Sequence, residues 1–119
     1  MARIGPFAVV CDPASVVAYA RATGYEGEGA PAAWPTVWLT TGELGAALRA
    51  LVPPGKALVH ESQSFVYAAP LTVGACYKIA ATVAQETGPD RLVVEADATA
   101  PEGGQTLAMR AVLRIVAPQ

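Results

Sequence analysis

From Cys76 onward, apolar and polar residues change places at nearly every step. Tyr77, Ile79, Ala81 and Val83 alternate with Lys78 and Thr82, and Glu86 continues the polar side. Leu92, Val94, Ala96 and Ala98 then alternate with Arg91, Glu95 and Asp97. Leu107, Met109, Ala111, Leu113 and Ile115 fall on one side, with Arg110 and Arg114 on the other. The turn-forming stretches GPD at 88–90 and PEGG at 101–104 separate these runs. Period-two alternation between tight turns predicts antiparallel strands, one over roughly 76–87 and one in each run that follows the 88–90 and 101–104 turns, with one buried face. A further run at 57–68 ends at a Pro70–Gly74 turn, which suggests one continuous meander after residue 56.

The first half of the chain has a different period. Asp12, Pro13 and Gly24 are good N-cap, first-turn and C′ residues for a short helix in which Val16, Tyr19, Ala20 and Thr23 share a stripe. Val37, Thr41, Leu44, Leu48 and Leu51 predict one longer helix, broadened by Trp38, Gly45 and Ala47 and ended by Pro53-Pro54-Gly55. Its only charges are Glu43 and Arg49, and so apolar a helix is expected to be buried. RIGPFAVV, at 3–10, reads as a short strand whose Pro6, lacking an N–H for a ladder, suits an edge or strand-entry position. The expected class is α+β, a long curved antiparallel sheet with a mostly apolar helix lying against it.

Composition adds an expectation of partnership. A chain of 119 residues corresponds to a single domain, 1–119, able to form a core without a disulfide or metal. Charged residues make up only 15% and hydrophobic ones 53%, which leaves little polar surface to cover a lone domain. We therefore expect an apolar face to be buried against a second subunit. The net charge of −2, without a basic cluster, gives nucleic acid no electrostatic footing. No apolar run approaches the ~18 residues of a membrane span, and Pro6 interrupts the only stretch resembling a leader. Cys11 and Cys76 match no metal or redox spacing and read as two small buried thiols in a reducing cytoplasm. With a single histidine, His60, no metal site is expected.

Several stretches carry a family likeness. FVYAAPLTVGACYKIAATV resembles the hot-dog fold's aromatic strand, Pro-Leu-x-x-Gly-Asp turn and alternating strand, with Ala75 where the aspartate usually stands. VVAYARATG resembles the Ala-Thr-Gly helix ending of MaoC-like acyl-thioester hydratases and dehydratases. APAAWPTVWL and LVHESQSFVY resemble the central-helix lead-in and following strand of the N-terminal MaoC dehydratase type. The resemblance implies a hot-dog fold whose sheet wraps a central helix, and a homodimer or heterodimer with another hot-dog chain. It also implies an acyl thioester of CoA or a carrier protein as substrate, hydro-lyase chemistry and no cofactor.

That family draws an aspartate and a histidine from the loop before the central helix. Here the loop is YEGEGAPAA and holds neither. Three readings follow. His60 could be the base, assisted by Glu61 or Glu28, although Glu61 as its strand neighbour faces the other way. The chain could instead be a non-catalytic subunit that shapes an acyl tunnel. Or Glu43 on the central helix could serve thioester hydrolysis, as helix acids do in hot-dog thioesterases. Each residue also has a plain alternative. His60 would share a polar, solvent-facing strip with Ser62 and Ser64, Glu43 could simply be solvated, and Trp34 and Tyr67 could be core aromatics. In the binding reading, Trp34 flanks the passing acyl group and Tyr67 donates to the thioester carbonyl. The N–H groups of Thr36 and Val37, at the helix start, would hold that carbonyl's oxygen.

Overall fold

The computed structural model describes residues 2–117. Strand β1 (Ala2–Val10) is followed by helices α1 (Pro13–Thr23), α2 (Thr36–Thr40) and α3 (Gly42–Arg49), then strands β2 (Ala57–Tyr67), β3 (Cys76–Glu86), β4 (Arg91–Thr99) and β5 (Gln105–Val116). All pairings are antiparallel, in the order β1-β3-β4-β5-β2.

The alternation expected of β3, β4 and β5 is realised. Ile79, Val83, Leu92, Val94, Ala96, Ala98, Leu107, Ala111 and Leu113 are each at most 2% exposed and form the sheet's core face. The continuous meander is not realised. Only β3–β5 run as consecutive neighbours, while β2 pairs with β5 at the far edge. The Pro70–Gly74 segment therefore carries the chain across the sheet instead of closing a hairpin. Residues 60–64 of this edge strand are all exposed.

Helix α1 has the expected caps. Asp12 accepts from the Ser15 N–H at 2.9 Å, Pro13 sits in the first turn, and the Gly24 N–H reaches the Ala20 carbonyl. Within its stripe Val16 is buried, whereas Thr23 is exposed and donates its hydroxyl to Tyr19.

The single long helix expected over 37–51 is broken. Thr41 is extended (φ −129°, ψ 171°) and Gly42 takes φ +62°, a left-handed conformation that costs glycine little. The apolar stripe runs through the break, which is why spacing alone does not show it. Nor is α3 greasy all round: Leu44, Gly45 and Leu48 are buried, whereas Glu43, Ala46 and Arg49 face outward. Leu44, Leu48, Trp34, Trp38 and Leu39 join the sheet's apolar face in one core cluster. A fully buried leucine or valine contributes about 1.5–3 kcal/mol, so this cluster supplies most of what holds the helices to the sheet.

The two cysteines differ. Cys11 is fully buried, and burial followed by the Asp12 charge pushes its thiol above the usual range; Cys76 is exposed.

Candidate functional site

The polar strand β2 gains its geometry from one extra residue. His60 stands opposite Leu113, but Ser62, two positions on, stands opposite Val112, only one position back. Glu61 is the surplus residue of a β-bulge, and a bulge reverses the facing of everything beyond it. Paired residues share a face, and Leu113, Met109 and Leu107 are core-facing, so His60, Gln63, Phe65 and Tyr67 face the helices. Ser62 and Ser64, opposite Val112 and Arg110, face outward. The expected polar strip of His60, Ser62 and Ser64 is thus split between two faces. Glu61 turns outward and grips Arg91 through paired contacts of 2.6 and 2.8 Å. That guanidinium holds the Glu61 carboxyl below its usual range. His60 and Glu61 form no dyad, as strand geometry predicts.

His60 borders a cavity of about 450 Å3 between β2 and the α2–α3 corner. Leu39, Leu58 and Leu113 give it an apolar floor, and Arg49 and Lys56 stand with His60 around it. The Arg49 guanidinium donates to the Thr40 carbonyl at 2.9 Å. Glu43, exposed in the first turn of α3, lines neither this cavity nor the next.

At the other end of β2 a shallower cleft of about 430 Å3 lies under the loop preceding α2, lined by Tyr25, Glu28, Ala30, Tyr67 and Leu71. The Tyr67 hydroxyl donates to the Ala32 carbonyl at 2.6 Å. Burial, with a smaller contribution from Cys11, pushes its pKa up to about 12. Its one proton is committed to holding the loop, and Tyr25 likewise donates to the Glu28 carbonyl.

The start of α2 does not offer the donors expected there. The Thr36 N–H bonds to the Ala33 carbonyl at 3.2 Å and the Val37 N–H to the Trp34 carbonyl at 2.9 Å. A turn over 31–35 runs directly into the helix and takes up both groups, and Thr36 gives its hydroxyl proton to Ala33 as well. Gln63, brought inward by the bulge, lies with its amide 3.1 Å from that hydroxyl. Of the two roles the sequence offers Trp34, core aromatic and flank of the acyl group, the surroundings fit the first. Trp34 is 1% exposed, donates its ring N–H to Ser15 at 3.1 Å and meets Trp38 edge-on at 5.1 Å, so it belongs to the core.

No known family profile matches the chain, and no curated protein matches it in sequence. Solved structures do. The C-terminally truncated HadBC (3R-hydroxyacyl-ACP dehydratase) complex of Mycobacterium tuberculosis contains a chain that superposes with a TM-score of 0.70 at 19% identity, covering 94% of this chain and 92% of that one. A hot-dog-like protein of Thermanaerovibrio acidaminovorans superposes at 0.68 with 21% identity, over 98% and 80% of the two chains. The chain has the hot-dog fold. The fluoroacetyl-CoA thioesterase FlK shares the arrangement at a TM-score of 0.72 and 14% identity, over 98% and 86%.

Within the hot-dog frame, β2 brings Gln63 and Thr36 together and aims His60 at the Arg49–Lys56 cavity, but it brings neither to Glu43. Arg49, Lys56 and Gln63 escape a reading of the sequence because their facing depends on the bulge and the corner, which leave no mark in residue spacing. Among the described residues no three His, Cys, Asp or Glu side chains gather as metal ligands, and no helix is long and apolar enough to cross a membrane.

Proposed function

We propose that this hot-dog chain binds acyl thioesters of CoA or a carrier protein as a MaoC-like relative of the hydratases and dehydratases. In this reading it is the acyl-holding subunit, and a second hot-dog chain supplies the acid–base pair. One observation carries the reading: the cavity beside His60 is apolar at its floor and has no carboxylate in its lining. Hydrating an enoyl thioester requires one group to take a proton from water as oxygen adds to the β-carbon. A second group must protonate the α-carbon. A lone imidazole beside two cations lacks the carboxylate partner that would orient it and balance its charge. The loop where the resembling family keeps its pair holds only Glu26 and Glu28 as titratable acids, with Tyr25 beside them.

Partnership has a physical basis in β2. Among the described residues no strand pairs with its outer edge, and Val59 and Val66 on its outer face are 51% and 70% exposed. An edge strand with free ladder groups and exposed valines is built to be covered. HadBC, whose chain this one resembles in fold, is itself a complex.

The test is to incubate the purified chain with crotonyl-CoA and with saturated acyl-CoAs, following enoyl absorbance, thiol release and melting temperature. The reading predicts no loss of enoyl absorbance, no thiol release and a clear thermal shift. A ligand at 100 times its Kd stabilises by about 2.7 kcal/mol, enough to see. Hydration by the chain alone that disappears in His60→Ala would make it a complete enzyme. Thiol release lost in Glu43→Gln would make it a thioesterase instead.

A further inference from the structure

We infer that the cavity between β2 and the α2–α3 corner is an anion-recognition site, taking a carboxylate or phosphate borne on an apolar stem. The inference deepens the proposed function, with the stem as the acyl chain or its carrier arm and the anion as a group that Arg49, Lys56 and His60 hold. Charge is the first ground. The sequence has eight lysines and arginines, one histidine and ten acids, yet two of those cations and the histidine meet at this cavity and no acid lines it. The ion pairs among the described residues, Arg91–Glu61 and Arg110–Glu95, lie on the opposite face of the sheet and involve neither Arg49 nor Lys56.

Geometry is the second ground. Arg49 is held by a neutral carbonyl, that of Thr40, which fixes the guanidinium without cancelling its charge. Gly45 makes this approach possible, because a Cβ there would lie 2.7 Å from the Thr40 carbonyl carbon and 3.2 Å from the guanidinium. Four guanidinium N–H groups remain for a ligand, arranged in the fork that suits carboxylate and phosphate oxygens. The third ground is the floor, where Leu39 and Leu113 are 4% and 2% exposed and present apolar surface to a stem. The opposing effect is small. The C-terminal end of α3 carries roughly −0.5 of an elementary charge, against two full positive charges on Arg49 and Lys56. The volume, about 450 Å3, lies within the range of roughly 300–1,000 Å3 typical of small-molecule sites.

Octanoate, octanol and CoA, titrated into the full chain by calorimetry, separate the possibilities, with the ring signals of its only histidine followed by NMR. Octanoate shares its stem with octanol but adds the charge, and CoA offers phosphates without an acyl group. We expect octanoate or CoA to move the His60 signals, and octanol to bind at least tenfold more weakly than octanoate. Arg49→Gln with Lys56→Gln should weaken the anion by about 10- to 100-fold, the range of charge-assisted hydrogen bonds. Lys78→Gln, on the outer face, should change nothing. Movement by octanoate identifies a carboxylate as the natural group, and movement by CoA alone a phosphate.

The inference is overturned if neither anion moves His60, if octanoate moves it but octanol binds as tightly, or if the double variant binds the active anion as the parent does. The His60 signals of the parent chain decide the matter even if the variant misfolds. Butyryl-CoA run in parallel separates the two proposals. Butyryl-CoA binding in the parent without anion dependence sinks the anion site alone. Octanoate binding without any acyl-CoA binding sinks the acyl-thioester reading alone.

Discussion

Replacing Trp34 by alanine distinguishes a core residue from a ligand contact. The indole is 1% exposed, packs edge-on against Trp38 at 5.1 Å and donates to Ser15. A fully buried tryptophan removes up to about 250 Å2 from water, worth roughly 6 kcal/mol at 25 cal/mol per Å2. Measured truncations of buried aromatics cluster at about 3–5 kcal/mol, because alanine keeps part of the burial and the site relaxes. We expect about 4 kcal/mol, a large share of the 5–15 kcal/mol that holds a typical domain together. Urea unfolding at one fixed protein concentration reads this directly. With a slope of roughly 2 kcal/mol/M the midpoint should fall by about 2 M. Trp34→Phe should lose far less, about 1 kcal/mol for the Ser15 hydrogen bond plus a little packing. The two tryptophans are both buried, and Trp38 remains to report unfolding by fluorescence. A Trp34→Ala midpoint shift under about 0.5 M, with weakened acyl-CoA binding, would refute the core assignment and return Trp34 to the ligand.

The remaining predictions concern β2. Deleting Glu61 should leave a cooperatively folding protein with His60 still facing the helices, because the deletion removes only the surplus residue; deleting Gln63 should reverse one side of the strand and melt well below it, both by circular dichroism. Lowering the pH should erode whatever stability the Glu61–Arg91 contact contributes. The native carboxyl titrates below its unfolded value of about 4.3, so that contribution is intact above this pH and lost as pH falls through the lower native value. Glu61→Gln should flatten this part of an acid-unfolding curve. Of the four tyrosines, Tyr67 should ionise only near pH 12 in an ultraviolet titration, a step absent from Tyr67→Phe. The same variant should speed proteolysis in the loop at 25–30 by freeing Ala32, at a cost near 1 kcal/mol.

The sheet interior was legible because burial writes itself into a period of two. Leu92 through Ala98 alternate with charges, and the structure buries those four and no others of the run. Helix α1 was legible for a different reason, since Asp12, Pro13 and Gly24 do local jobs that need no tertiary context. Strand β2 defeated the reading because residues 60–64 are polar on both faces, so nothing in their order marks a change of facing. The Thr41–Gly42 break hid under an apolar stripe that passes straight through it. The donors at Thr36 and Val37 failed as a site because what precedes a helix start decides whether its N–H groups are free. The turn over 31–35, flanked by Pro31 and Pro35, already uses them.

The two rims of the sheet are unequal. On β1 the register slips between Ile4 and Phe7, where Pro6 has no hydrogen to offer a newcomer, whereas β2 offers eleven residues and no proline. Growth by strand addition therefore has a start but no continuation: a copy that docks through β2 presents only the interrupted β1 rim beyond it. Pro6 makes the β1 rim a poorer template than β2, so edge-to-edge stacking is expected to end there.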